Sequence, residues 1–73
     1  MYEGRIAIDS AIGHGKPIIK GTRVPVEIIL SSLAGGMQID EIAKEYDLRR
    51  EDVLAALAYA ARMIAGEEIG VYA

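Results

Sequence analysis

The run Gly13-His14-Gly15-Lys16 is the first place in this 73-residue chain where residue types and spacing could serve chemistry. Glycines beside a lysine suggest a phosphate cradle, in which bare backbone N–H groups ring an anion and the lysine neutralises it. Such a loop needs Gly-x-x-x-x-Gly-Lys, then Ser or Thr, then a helix. Here Pro17 follows the lysine, offers no N–H, and leads into the apolar Ile18-Ile19. Nucleotide hydrolysis is set aside on that mismatch, and residues 12–17 read as a glycine-punctuated hairpin loop.

Other catalytic constellations fare no better. His14 is the single histidine and cysteine is absent, so one chain cannot supply a multi-histidine or cysteine metal site. Between two glycines, His14 reads as a solvated loop residue. The acids Asp40, Glu41, Glu45, Asp47, Glu51 and Asp52 could hold Mg²⁺ for nuclease chemistry. Helix starts and solvated faces account for most of them, and the glycine a calcium loop requires is missing. Thr22, Ser31 and Ser32 have no histidine at a suggestive spacing. A non-enzymatic protein is expected, with no catalytic residue, no metal and no cofactor.

What remains is charge. The chain carries a formal net charge of −3, so it should not coat nucleic acid indiscriminately. Residues 1–36 sum to +1 and residues 37–73 to −4. Lys16, Lys20 and Arg23 form a local basic patch with no acid between Ala11 and Val26. Arg49 and Arg50 precede the acids Glu51 and Asp52, which would repel phosphate. These five cations are the residues expected to touch double-stranded DNA. For Arg23 a second role stands equally open, bridging the hairpin to a helix carboxylate such as Glu27 or Glu45.

The elements that must position these groups follow from periodicity. Ile6-Ala7-Ile8-Asp9 and Ile18-Ile19-Lys20 read as short strands forming an N-terminal hairpin over residues 6–20. Two strands alone are marginal, so they must pack on helices or pair across a dimer. Pro25 suits the first position of a helix that Gly35-Gly36 ends. Ile39, Ile42, Ala43 and Tyr46 mark a second helix over 39–46, with Gln38 a poor N-cap. A third helix runs over 50–65, with Val53, Leu57, Ala60/Ala61 and Ile64 as one apolar stripe and Leu54, Ala58 and Ala61 as another. Gly66 is expected to end it, leaving residues 66–73 as a short tail. Tyr46 and Tyr59 fall at core or interface spacing, while Tyr2 and Tyr72 are placed to pack on a partner.

The pattern Ile39-x-x-Ile42-Ala43-x-x-Tyr46-x-Leu48-x-x-x-x-Val53 matches a helix-turn-helix. Ala43 lets two helices approach, Leu48 fills the turn and Val53 anchors the next helix. The expected fold is therefore mainly α. It is one domain over 1–73, a three-helix helix-turn-helix-like bundle (25–65) behind a short hairpin, and dimeric. No signal-peptide pattern and no apolar run near 18 residues is visible, so a soluble cytoplasmic protein without membrane contact is expected.

The run Gly15-Lys16-Pro17-Ile18-Ile19-Lys20-Gly21-Thr22-Arg23-Val24-Pro25-Val26 resembles the domain of unknown function 433 family. The likeness continues through Gly36-Met37, Ile42, Tyr46, Leu48, Asp52-Val53 and Ala55–Ala60, covering roughly residues 6–62. The resemblance implies a small, mostly helical fold with a helix-turn-helix-like core. It also implies an antitoxin of the VapB kind that forms a homodimer, neutralises a PIN-type nuclease toxin and represses its own operator. An interaction or dimerisation module without DNA binding is the alternative. His14 stands where the family usually has glycine, and Lys20 where arginine is common. Arg49 replaces a Ser or Thr helix cap, a change expected to weaken the helix start by ~1 kcal/mol.

Overall fold

The computed structural model describes residues 4–72, with side chains described over 4–66. The N-terminal ribbon consists of β1 (Ile6–Asp9) and β2 (Ile12–Ile19), paired antiparallel. The chain reverses at Ser10-Ala11, where the Asp9 carboxylate accepts the Ala11 N–H at 2.8 Å. Ile6, Ala7 and Ile8 oppose Ile19, Ile18 and Pro17, and the register then jumps to Asp9 opposite Ile12. Residues 13–16 are thrown out as a bulge. The glycine-rich segment is thus an interruption within β2 and not the hairpin turn that the sequence suggests. Gly13, His14 and Gly15 take φ of 68°, 56° and 83°, and three successive left-handed residues cannot stay in a ladder.

A second reversal was not legible as such. The Ile19 N–H donates to the Val24 carbonyl at 2.9 Å, and Ile18 bridges to Pro25. Between them Lys20-Gly21-Thr22-Arg23 forms a tight turn. Thr22 ties it: its hydroxyl donates to the Ile19 carbonyl at 2.7 Å and accepts the Val24 N–H at 3.0 Å.

Helix α1 (Val26–Ala34) begins one residue later than expected. Pro25 sits at the N-cap with ψ of 144°, because its bridge to Ile18 holds it extended. At the other end Gly36 takes φ of 102°, its N–H donating to the Leu33 carbonyl and that of Met37 to Ser32. That double bond pattern is a Schellman stop. Helix α2 (Ile39–Glu45) ends the same way: Asp47 takes φ of 55° and the Leu48 N–H donates to the Ala43 carbonyl at 2.7 Å. Its start is secured by Glu41, whose carboxylate accepts the Gln38 N–H at 2.7 Å, so Gln38 does not weaken it as expected.

Helix α3 (Arg50–Tyr72) runs well past the expected end. A glycine stops a helix by turning left-handed; Gly36 does so, whereas Gly66 keeps helical backbone. The expected tail is therefore helical through Tyr72, and Ala73 lies outside the described residues, as do Tyr2 and the side chain of Tyr72.

The core is Ile19, Val26, Ile29, Ile42, Val53 and Ala56, with Ile6, Leu30, Leu33, Met37, Ala43, Tyr46, Leu48 and Tyr59 packed around it. Ala43 and Leu48, which the helix-turn-helix pattern singles out, are both half-buried and packed against this core. The inward stripe of α3 is Val53–Ala56–Tyr59, with Ala55 also buried. Leu57 and Ile64, from the expected stripe, face solvent. The small side chain of Ala56 brings α3 close to α1 and α2, and that approach rotates Leu57 outward.

Candidate functional site

The start of α3 is built around Asp52. One carboxylate oxygen accepts the Arg49 N–H at 3.0 Å; the other accepts Arg5 Nη1 at 2.9 Å. Asp52 thereby supplies the reciprocal half of a capping box by taking the N-cap N–H, while its own N–H, which Ser or Thr at position 49 would accept, donates to the Arg49 carbonyl at 3.0 Å. Neither Arg5 nor this role of Asp52 was singled out from the sequence. An acid three residues after a helix boundary is a readable signal for the cap, but the arginine lies 47 residues away and gives none.

The five predicted DNA-contacting residues distribute over three places. Arg49 and Arg50 are exposed at the first turn of α3. Arg50 is engaged by Asp40 of α2, Nη1 to Oδ1 at 2.9 Å. Lys20 and Arg23 line one open depression of about 480 Å³ beside the Thr22 turn, floored by Ala7, Ile12 and Ile18 and rimmed also by Asp9. Lys16 lies apart, with Nζ 3.2 Å from Glu27, in a smaller hollow beside Pro17. Both ion pairs are exposed, and such pairs contribute only ~0–1 kcal/mol, so each cation is free to exchange its partner.

Among the described residues Arg23 pairs with neither Glu27 nor Glu45; Glu27 is taken by Lys16 and the turn is tied by Thr22. Three of the six acids weighed for a metal are engaged otherwise: Asp40 on Arg50, Glu41 on Gln38, Asp52 on Arg5 and Arg49. Among the described residues no three of His, Cys, Asp or Glu gather as a metal site.

A different surface stands out on α3. Residues 61–66 are all exposed, including Met63 at 52% and Ile64 at 56%, with Leu57 about two turns earlier at 37%. At 1.5 Å per residue the 23-residue helix is about 35 Å long, and its residues 61–66 follow the last half-buried one, Ala60.

The family described as protein of unknown function (DUF433) matches residues 6–60. The chain belongs to that family. No curated protein and no solved structure matches it. The DUF433 match opens at the first residue of β1 and closes at Ala60, the last half-buried residue of α3. It therefore spans the hairpin and the packed helices, and the exposed segment 61–66 lies beyond it. No described helix is long and apolar enough to cross a membrane.

Proposed function

We propose that this protein is a non-catalytic interaction protein of the antitoxin type, which holds a nuclease toxin against the exposed apolar residues of α3. The observation that carries the reading is the apolar exposure of Leu57 on the outer side of α3 and of Met63 and Ile64 past its last half-buried residue, Ala60. Helix faces of this kind are read by grooves on a partner. The toxin class comes from the family resemblance: PIN-type nucleases accompany many members. The test is co-purification with the PIN-type nuclease encoded beside it, followed by a ribonuclease assay. A stable complex with the nuclease silenced is expected, and the double variant Met63→Glu/Ile64→Glu should release an active nuclease while keeping its own fold. The lack of such a neighbouring gene, or a nuclease that stays active, overturns the reading.

Operator binding is the second reading, favoured by Arg49 and Arg50 at the exposed start of the second helix in the α2–turn–α3 unit. Asp40 opposes it by competing with phosphate for Arg50, and Glu51 beside the arginines by repelling phosphate. Titration of the protein, alone and with the nuclease, into duplex from its own upstream region and into scrambled duplex at two salt concentrations decides it. Selective, salt-sensitive binding lost in Arg49→Ala/Arg50→Ala supports repression; equal weak binding to both duplexes removes it.

A further inference from the structure

We propose that β1 is a homodimer seam, pairing antiparallel with β1 of a second copy about a two-fold axis at Ala7. This rests on the ribbon alone and not on the reading of α3. The sheet has the order β1-β2, so β1 is an edge strand. The Lys20 N–H donates to the Arg5 carbonyl at 2.8 Å, and Ile6, Ala7 and Ile8 oppose Ile19, Ile18 and Pro17. Bonding direction alternates along an antiparallel strand. Arg5 and Ala7 therefore aim their N–H and C=O groups at β2, while Ile6 and Ile8 aim theirs outward. Pro17 agrees with this phase, since it has no N–H and stands opposite Ile8, where none is needed. Among the described residues nothing bonds Ile6 or Ile8 from the outer side. No lysine, proline or inserted residue blunts the edge over 6–8.

The occupant follows from the sequence of the strand itself. Reversed about Ala7, Arg5-Ile6-Ala7-Ile8-Asp9 meets its own complement: Arg5 faces Asp9 of the second copy and Ile6 faces Ile8. This register places outward-bonding residues opposite outward-bonding residues, so all four free groups on each strand are satisfied. A shift by one residue would set them against groups already committed to β2. The side chains agree. Ile6 packs on the core, while Ile8, on the same face, is 61% exposed. Pairing lays Ile6 of the second copy beside Ile8 and extends both cores across the axis. Among the described residues Asp9 uses Oδ1 on Ala11, leaving Oδ2 for the facing arginine, and Arg5 spends only Nη1, on Asp52. The product is a four-stranded sheet in place of two marginal ribbons.

Sedimentation equilibrium and NMR on the intact protein test this. The expected mass is twice that of one chain. A mixed labelled and unlabelled sample should show an intermolecular contact between Ala7 Hα protons, the close pair at a non-bonded position. Amide exchange at Ile6 and Ile8 should slow as concentration rises. Ile8→Pro removes one outward N–H without touching the inner ladder, and should raise the dimer Kd about tenfold or more. Asp9→Lys, which sets two cations face to face, should weaken the dimer in the same direction. Met63→Glu/Ile64→Glu should leave it intact. A monomer at every concentration overturns the proposal. So does a dimer whose Ile6 and Ile8 amides exchange freely, or one dissociated by the α3 substitutions and not by Ile8→Pro.

Discussion

Arg5 and Asp52 meet at 2.9 Å across 47 residues and join the foot of the hairpin to the first turn of α3. The same carboxylate caps α3 through the Arg49 N–H. Hairpin docking and helix initiation therefore share one side chain. With the Asp52 side chain 14% exposed and that of Arg5 33% exposed, water screens the pair only in part.

Asp52→Ala should be the more damaging of the two truncations. It removes the cap and leaves a half-buried guanidinium without its partner, at a cost of about 1–3 kcal/mol. Arg5→Ala should cost about 1 kcal/mol, since the cap survives. Urea unfolding of both singles and the double variant checks this. A cycle with no coupling between the two positions would show that the contact contributes nothing to stability.

Gly13 and Gly15 separate two effects that a sequence cannot tell apart. Both take positive φ, but a Cβ at Gly13 would lie 2.9 Å from Ile18 Cγ2, whereas at Gly15 nothing stands within 4 Å. Gly15→Ala should cost about 1 kcal/mol from backbone strain alone. Gly13→Ala should cost more, about 2 kcal/mol or above, because Ile18 is buried and must shift. Equal losses in melting experiments would mean that Ile18 moves freely.

Thr22 should be replaceable by serine and not by valine. The hydroxyl both donates to Ile19 and accepts from Val24, and valine keeps the shape while leaving the Val24 N–H without its acceptor. Thr22→Val should lose about 1–2 kcal/mol and Thr22→Ser well under 1 kcal/mol. The loss should also disorder the presentation of Lys20 and Arg23, visible as faster amide exchange over 20–24.

The legible parts of the fold were the local ones. Ile39, Ile42, Ala43 and Leu48 announce α2 and its turn because their spacing is that of a packed helix pair, and Gly35-Gly36 announces a stop because the left-handed stop sits on glycine. Gly66 carries the same sign without the conformation. Leu57 and Ile64 fit an apolar period equally well, and only the approach of α3 at Ala56 decides that they face out. At the candidate site the cations were visible as residue types. Their partners were not, since Lys16 finds Glu27 and Arg50 finds Asp40 only after the elements have packed.

His14 and Asp47 are the two described residues other than glycine with positive φ, at 56° and 55°. The same backbone state should respond differently to glycine at the two sites. A left-handed conformation strains most L-residues by about 1–2 kcal/mol, less for aspartate, whose short polar side chain tolerates it. Glycine returns about 0.5–1 kcal/mol through greater freedom of the unfolded chain. His14→Gly should therefore stabilise the protein by about 0.5–1 kcal/mol. Asp47→Gly should change stability by less than about 0.5 kcal/mol, because the Leu48–Ala43 bond already holds the α2 stop. Thermal unfolding of the two variants at matched concentration measures this. A destabilised His14→Gly would mean that the imidazole makes contacts in the folded protein worth more than the strain it bears.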